Sequence, residues 1–204
     1  MNKDQQEIEA KFFVQDLTGL RERLLEAGGQ CIQERVLEIN LRFDTPDRRL
    51  STEARVLRLR RDQASRLTYK GPADPTQAIS VRKEIEFVVS NFVAARNFLE
   101  ALGYQVIVHY EKYRTTYALE DVEVLLDEMP YGTFVEIEGG DIAGVQKAAE
   151  RLNLNWETST RDSYLMLFEK LKAKLGLKVQ NLSFAEFESL YFTVEDFDLV
   201  AADS

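Results

Sequence analysis

The chain has 204 residues and a formal net charge of −9 at pH 7, a length that fits one large domain or one domain with an appendage. The acidic balance argues against a general nucleic-acid binder, which would carry a basic stripe. Cys31 is the only cysteine and His109 the only histidine, which excludes a cysteine-cluster metal site and argues against a structural zinc site and a Cys–His catalytic pair. No apolar run approaches the length of a membrane span, so we expect a cytoplasmic protein with no membrane partner.

Hydrophobic periodicity predicts eight strands and four longer helices along the chain. The strands are predicted at Glu7–Val14, Cys31–Phe43, Ala54–Arg61, Arg66–Lys70, Ile79–Val89, Tyr104–Tyr117, Asp121–Asp127 and Phe134–Glu138. The helices are predicted at Leu17–Ala27, Phe92–Leu102, Ile142–Leu152 and Tyr164–Leu175. Because most strands are joined as hairpins, we predict an α+β fold, an eight-stranded antiparallel barrel with helices outside it.

The last part of the chain differs in composition from the rest. Gly176 ends the last predicted helix, and the residues that follow are acidic and aromatic. We therefore expect one domain over residues 1–175 and an extension over residues 176–204. This extension could be a small helical appendage or a segment that docks on the barrel.

Charged side chains recur at every second position of the predicted strands. In the first strand, Glu7, Glu9 and Lys11 share one face, and Ile8 and Ala10 lie on the other. A half-exposed sheet gives the same alternation. However, the polar positions are nearly all fully charged, and acidic and basic residues are segregated by strand, which favours the lining of a barrel interior.

This interpretation makes a geometric prediction about the charged residues and their neighbours. The basic set is Lys11, Arg58, Arg60, Lys70, Arg82, Lys112 and Arg114. The acidic set is Glu7, Glu9, Glu84, Glu86, Glu123, Asp127, Glu136 and Glu138. Four of these, Glu7, Arg58, Lys112 and Glu136, should point into one shared cavity, and Leu59, Tyr113 and Ile137 should face away from it.

A lumen with both sets of charges suits a polyphosphate that is bound together with a divalent metal. Carboxylates would hold the metal, and arginines and lysines would bind the remaining phosphate oxygens. Since the ligand set contains only oxygen, it favours Mg²⁺ or Mn²⁺ over zinc. The expected partner is a small-molecule triphosphate, and no nucleic acid is expected.

The ordered set of motifs resembles the CYTH family, also called triphosphate tunnel metalloenzymes, over about residues 5–170. Glu7-Ile8-Glu9-Ala10-Lys11 resembles the ExExK signature of this family. The resemblance continues in order through Leu57–Arg60, Leu67–Pro72, Arg82–Glu86, Lys112-Tyr113-Arg114, Asp127 and Gly132–Glu138. Leu67–Pro72 and Gly132–Glu138 are similar to the class IV (CyaB-type) adenylate cyclase branch.

The resemblance implies a role for each matching residue. The implied metal ligands are Glu7, Glu9, Glu136 and Glu138, with Glu84 and Asp127 as helpers. The implied substrate-binding residues are Lys11, Arg58, Arg60, Lys70, Arg82, Lys112 and Arg114, of which Lys11, Lys70 and Arg114 are assigned catalytic roles. Arg82 and Glu86 could instead make structural ion pairs, and we interpret His109 as a packed or surface residue.

The resemblance leaves three functions open. The first, which the resemblance to the cyclase-type branch favours over the other two, is an adenylate cyclase that converts ATP to cyclic AMP and pyrophosphate. The second is a triphosphatase that acts on inorganic triphosphate, thiamine triphosphate or a nucleoside triphosphate. The third is a non-catalytic polyphosphate-binding module, against which the full row of carboxylates argues, since binding an anion does not need them. A homodimer is compatible with all three.

Overall fold

The computed structural model describes residues 5–73, 76 and 80–203, with the side chains of residues 5–7, 80 and 194 excepted. The strands are Gln5–Val14 (β1), Gln30–Asp44 (β2), Val56–Arg61 (β3), Ser65–Lys70 (β4), Ser80–Val89 (β5), Gln105–Leu119 (β6), Val122–Met129 (β7) and Gly132–Gly139 (β8). The helices are Leu17–Glu26 (α1), Arg49–Thr52 (α2), Phe92–Ala101 (α3), Ile142–Arg151 (α4), Tyr164–Leu175 (α5) and Phe184–Phe187 (α6). Short 3₁₀ turns lie at Trp156–Thr158 and Val194–Asp196.

The eight strands form one antiparallel sheet that closes on itself in the order β1-β5-β4-β3-β2-β6-β7-β8. The ring is closed by β1, which pairs with β5 on one side and with β8 on the other. The predicted α+β fold with an antiparallel eight-stranded barrel is therefore confirmed.

Alternation along the strands separates an apolar outer face from a charged inner face. The outward side chains Phe12, Val135 and Ile137 are buried against α1 and α4. Leu59 is buried in a second cluster with Leu99 of α3. Burial on this outer side is the main stabilising term, so the inner side can be charged.

The ends of two helices follow from local sequence. Asp16 precedes α1, and its carboxylate accepts a hydrogen bond from the backbone N–H of Gly19 at 2.8 Å, which satisfies a donor of the first turn. Gly28 follows α1 with φ of +89°, a conformation that glycine adopts without strain. Gly176 ends α5 in the same left-handed region.

The segment after α5 docks on the barrel. Leu182 forms a parallel bridge with Tyr110, beside the part of β6 that extends beyond its pairing with β7. Farther along, the Ala202 N–H donates to the carbonyl of Phe13 at 2.9 Å. Phe197 packs against Phe13 at 5.3 Å between ring centroids. Described residues of the segment therefore contact the barrel, and the division into a domain and an extension stays a prediction.

The helices in the described part of the chain include none that is both long and apolar enough to cross a bilayer.

Candidate active site

The inner face of the barrel encloses a cavity of about 1580 Å³. Its walls include most of the charged residues that the period-two pattern predicted. They are Glu9, Lys11, Arg58, Arg60, Lys70, Arg82, Glu84, Glu86, Lys112, Arg114, Glu123, Glu136 and Glu138. The side chain of Glu7 lies outside the described residues, so its predicted role as a metal ligand stays a prediction.

The outward half of the geometric prediction also holds for the side chains that the structure describes. Leu59 and Ile137 are fully buried in the outer clusters. Tyr113 packs on Phe184 of α6, with 5.0 Å between ring centroids. Arg58, Lys112 and Glu136 meet in one cavity, as predicted.

Three carboxylates form the site that could hold a metal. Glu9 on β1 lies directly across from Glu138 on β8, and Glu136 is two residues before Glu138 on the same face. One oxygen from each of the three lies within 4.8 Å of the others. A cluster that offers only carboxylate oxygens fits Mg²⁺ or Mn²⁺, the ions expected from the sequence.

Burial and neighbouring charges together shift the pKa values of Glu136 and Glu138 in opposite directions. Burial raises the pKa of Glu136, but the charges of Lys11 and Arg114 outweigh it and hold this pKa well below its usual range. Burial, together with the charges of Glu9 and Glu136, raises the pKa of Glu138 to about 8, although Arg114 opposes the shift. Without a bound cation, the cluster therefore retains a proton near neutral pH.

Lys11 is held in place by its surroundings on three sides. Its Nζ lies 3.2 Å from Oε1 of Glu136 and donates to the carbonyl of Asp162 at 3.2 Å. The same ammonium sits 4.4 Å from the centroid of the Tyr164 ring. Burial lowers the pKa of Lys11, but the charges of Glu136 and Glu9 outweigh this effect and raise it. The ammonium is therefore charged and fixed beside the carboxylate cluster.

Asp127 is fully buried and connects the basic residues of β6 to α5. It accepts hydrogen bonds from Lys112 Nζ at 2.8 Å and from Arg114 Nε at 2.6 Å. The Tyr164 hydroxyl also donates to it, at 2.7 Å. Its oxygens are thus engaged by this chain, and its carboxylate is not part of the three-carboxylate cluster. The predicted metal role of Asp127 stays untested, and the geometry favours a positioning role for Lys112 and Arg114.

A second network of ion pairs lies on the part of the cavity wall that β2, β3, β4 and β5 form. Arg60 lies 3.5 Å from Glu38 and 3.3 Å from Glu86. Glu86 also accepts a hydrogen bond from the Thr68 hydroxyl at 2.7 Å. The ion pairs considered for Glu86 are therefore present. Arg58 has weaker contacts to the same groups, 3.4 Å to Thr68 and 3.7 Å to Glu86.

The remaining predicted residues are paired across neighbouring strands. Lys70 Nζ lies 3.4 Å from Glu84, its direct neighbour in the β4–β5 register. Arg82 Nη2 lies 3.5 Å from Glu9. Glu84 therefore stands beside Lys70 and outside the three-carboxylate cluster, and its predicted metal role is likewise untested.

Sequence reasoning missed four polar residues of the barrel interior and its floor: Glu38, Arg42, Tyr110 and Tyr164. Glu38 is almost fully buried. Burial raises its pKa, but the charges of Lys112, Arg114 and Arg60 lower it to about 2. A signal was present for two of them, because Glu38 and Arg42 alternate with Ile39 and Leu41 in β2. His109 lies outside the cavity lining, 3.4 Å from Glu111, consistent with its interpretation as a packed residue.

Comparisons with known proteins agree with this geometry. The CYTH domain family model matches residues 5–164. No curated protein matches the chain significantly. The fold is similar to a candidate adenylate cyclase from Vibrio parahaemolyticus, with a TM-score of 0.69 and 23% identity over 82% of this chain and 99% of that one.

Two further solved structures share the fold. A protein from Pyrococcus horikoshii has a TM-score of 0.68 and 24% identity over 78% of this chain and 97% of its own. A candidate adenylyl cyclase from Hippeastrum, described as having a dominant triphosphatase activity, has a TM-score of 0.56 and 16% identity over 80% of this chain and 95% of its own.

Proposed function

Because this chain belongs to the CYTH family, whose members process triphosphates, we propose that it is a metal-dependent triphosphatase acting on inorganic triphosphate or on the triphosphate group of a small molecule. The observation that carries the proposal is the pairing inside one cavity of a three-carboxylate cluster with a wall of fixed cations. A simple anion-binding module would not need the buried carboxylates, which are costly to maintain near one another.

The proposed role of the carboxylates is to bind metal and that of the cations is to hold the substrate. Glu9, Glu136 and Glu138 would hold Mg²⁺ or Mn²⁺, which when bound would neutralise charge on the phosphate oxygens. Lys11 and Arg114 flank this cluster, so they would contact a phosphate bound beside it. Hydrolysis breaks one phosphoanhydride bond with water, and these cations would stabilise the charge that moves onto the leaving phosphate.

The aromatic residues of the cavity favour hydrolysis over cyclisation. Two aromatic side chains line its described part, Tyr110 and Tyr164. The Tyr164 ring already has the ammonium groups of Lys11 and Lys112 against it, at 4.4 and 5.1 Å from its centroid. Tyr110 is surrounded by Arg58, Lys112 and Arg42. Both aromatic rings of the described walls therefore already have cations near them, which disfavours stacking of an adenine base on either ring.

Adenylate cyclase activity is the second candidate. The observation in its favour is the similarity of Leu67–Pro72 and Gly132–Glu138 to the cyclase-type branch. The solved structure from Vibrio parahaemolyticus, itself a candidate adenylate cyclase, has the same fold.

The test is to incubate the purified protein with Mg²⁺ or Mn²⁺ and, separately, inorganic triphosphate, thiamine triphosphate or ATP, and to separate the products by ion-exchange chromatography. We expect phosphate and diphosphate from inorganic triphosphate. Cyclic AMP and pyrophosphate as the main products from ATP would instead support the cyclase. Absence of turnover with every substrate, combined with measurable binding, would leave the binding module as the function.

A further inference from the structure

Arg42 differs from the other basic residues of the barrel interior in its electrostatic surroundings. Lys11, Lys70, Arg82, Lys112 and Arg114 each lie within 4.0 Å of a carboxylate, as do Arg58, Arg60 and Arg66. The guanidinium of Arg42 lines the same cavity. Among the described residues it has no ion pair, and its Nε is buried without a hydrogen-bond partner.

The nearest carboxylate in the sequence is already engaged elsewhere. Asp44, two residues after Arg42, accepts hydrogen bonds from the backbone N–H groups of Leu50 and Ser51 at 2.8 and 2.9 Å. It also accepts one from the Ser51 hydroxyl at 2.5 Å. These bonds hold the turn that leads into α2. Asp44 is therefore committed to this turn and does not serve as the counter-ion of Arg42.

A second arginine whose Nε has no hydrogen-bond partner lies opposite Arg42. Arg58 lies directly opposite it in the β2–β3 register, and its Nε is also buried without a partner. Like charges directly opposite in a sheet destabilise it, and a buried charge without a partner is costly. Burial and the charge of Arg58 lower the pKa of Arg42 from its usual range. The charge of Arg42 is therefore unfavourable in the empty barrel.

Tyr110 adds a neutral donor to the same corner of the cavity. It is 7% exposed and lies across from Asn40 in the β2–β6 register, beside Arg42. Burial alone would raise the pKa of its phenol, but the charges of Arg58, Lys112 and Arg42 lower it. A lower pKa makes the phenolic O–H a stronger hydrogen-bond donor.

We propose that Arg42, Arg58 and Tyr110 form an anion subsite that binds a terminal phosphate group of the substrate, and that this subsite selects substrates that present a free phosphate there over substrates that present an organic group. The Nε edges of two arginines offer the paired donors that phosphate oxygens accept in a bidentate manner. An organic group would meet the charged donors of Arg42 and Arg58 in this corner. The proposal rests on the proposed function, since it assigns one end of the same substrate.

The test measures binding of inorganic triphosphate with Mg²⁺ by isothermal titration calorimetry, in wild type, Arg42→Met and Arg66→Met. Arg66 is the matched control because it lines the same cavity but is bound by both oxygens of Asp62, at 2.7 and 2.9 Å. We expect Arg42→Met to weaken the affinity by about tenfold or more and Arg66→Met by less than about threefold.

A second measurement separates a ligand-binding role from a structural one. In EDTA and without ligand, Arg42→Met should keep or raise the melting temperature, because the change removes an unpaired charge opposite Arg58. Arg66→Met should lower it, because Asp62 loses the two hydrogen bonds that Arg66 donates. Should Arg42→Met fail to fold, the proposal is refuted as stated, and Arg42→Lys then measures whether the charge alone is required by the fold.

The possible outcomes distinguish this subsite from the proposed function. If wild type does not bind triphosphate, both fail. If wild type binds and hydrolyses triphosphate but Arg42→Met binds it as tightly, the proposed function stands and the subsite is wrong. If Arg42→Met loses affinity while the melting temperature without ligand is kept, the subsite is supported.

Discussion

The change Glu138→Gln should stabilise the metal-free protein at alkaline pH while removing its response to metal. In the folded state, burial and the charges of Glu9 and Glu136 raise the pKa of Glu138 from its usual 4.5 to about 8. Between these two pKa values, Glu138 therefore keeps its proton in the folded protein and has lost it in the unfolded chain. By linkage, the free energy of unfolding falls as the pH rises through this window and is lowest above pH 8.

The size of this effect follows from the difference between the two pKa values. A rise from 4.5 to about 8 corresponds to about 5 kcal/mol for the fully ionised side chain, at about 1.4 kcal/mol for each pH unit. Glu138 lines a water-accessible cavity, so we expect solvent screening to reduce this to about 2 kcal/mol. For a chain of this size, that corresponds to a melting temperature about 4–8 °C higher for Glu138→Gln at pH 8.5.

The assay is differential scanning fluorimetry in EDTA at half-unit steps from pH 5 to pH 9, repeated with Mg²⁺ and inorganic triphosphate. Glu22→Gln, at an exposed position on α1, is the control for the loss of one negative charge. At pH 5 the melting temperature of Glu138→Gln should be close to that of wild type. If Glu138→Gln is no more stable than wild type at pH 8.5, or if it still gains stability with metal and triphosphate as wild type does, the reasoning about the carboxylate cluster is wrong.

Four further predictions follow from the site and the tail. Glu9→Gln should abolish turnover without unfolding the barrel, and wild-type activity of this variant at low Mg²⁺ would contradict the metal site. Triphosphate with metal should stabilise wild type by about 2.7 kcal/mol at a hundredfold excess over its dissociation constant, and equal melting shifts with phosphate would argue against a site for a chain of phosphates. Asp127→Asn should cost about 3–5 kcal/mol in chemical denaturation because it weakens the ion pairs of Lys112 and Arg114, and an unchanged midpoint would contradict the positioning role of Asp127. Leu182→Ala should cost about 2–5 kcal/mol in the same assay, since Leu182 is fully buried. A neutral effect would mean that the segment after α5 adds no stability to the barrel.

The fold was predictable because each strand carries a period-two signal that physical burial enforces. Phe12 and Ile137 point outward and are apolar because helices cover them. Glu9 and Glu136 are charged and point into the cavity. A helix four residues long such as α2 has too few turns for hydrophobic periodicity to reveal it. The strand order could not be predicted from the sequence, because hydrophobic periodicity identifies the strands but does not say which strand lies beside β1.

The sequence predicted most of the residues that line the candidate site, but it did not predict which of them contact one another. Alternation placed Asp127 among the carboxylates of the lumen, but only the β6–β7 register shows that it lies opposite Arg114. Arg42 was not predicted, because the prediction of β2 rested on its apolar residues. Tyr164 lies outside the barrel strands, on α5, and reaches Asp127 through the tertiary fold. A contact between residues this far apart in the sequence depends on the tertiary fold, and no local sequence pattern predicts it.

The pairing of β1 with β8 has a consequence for how the chain folds during synthesis. Ile8 pairs with Gly139, and the carbonyl of Phe13 accepts a bond from Ala202. Such distant pairings slow folding, since the entropy of a long loop is lost before the contact forms. On the ribosome, the β8-facing edge of β1 must wait unpaired until residues 132–139 have emerged, and an unpaired edge can recruit other chains. We therefore expect aggregation of nascent chains, more than instability of the finished barrel, to limit the yield of this protein at high expression rates.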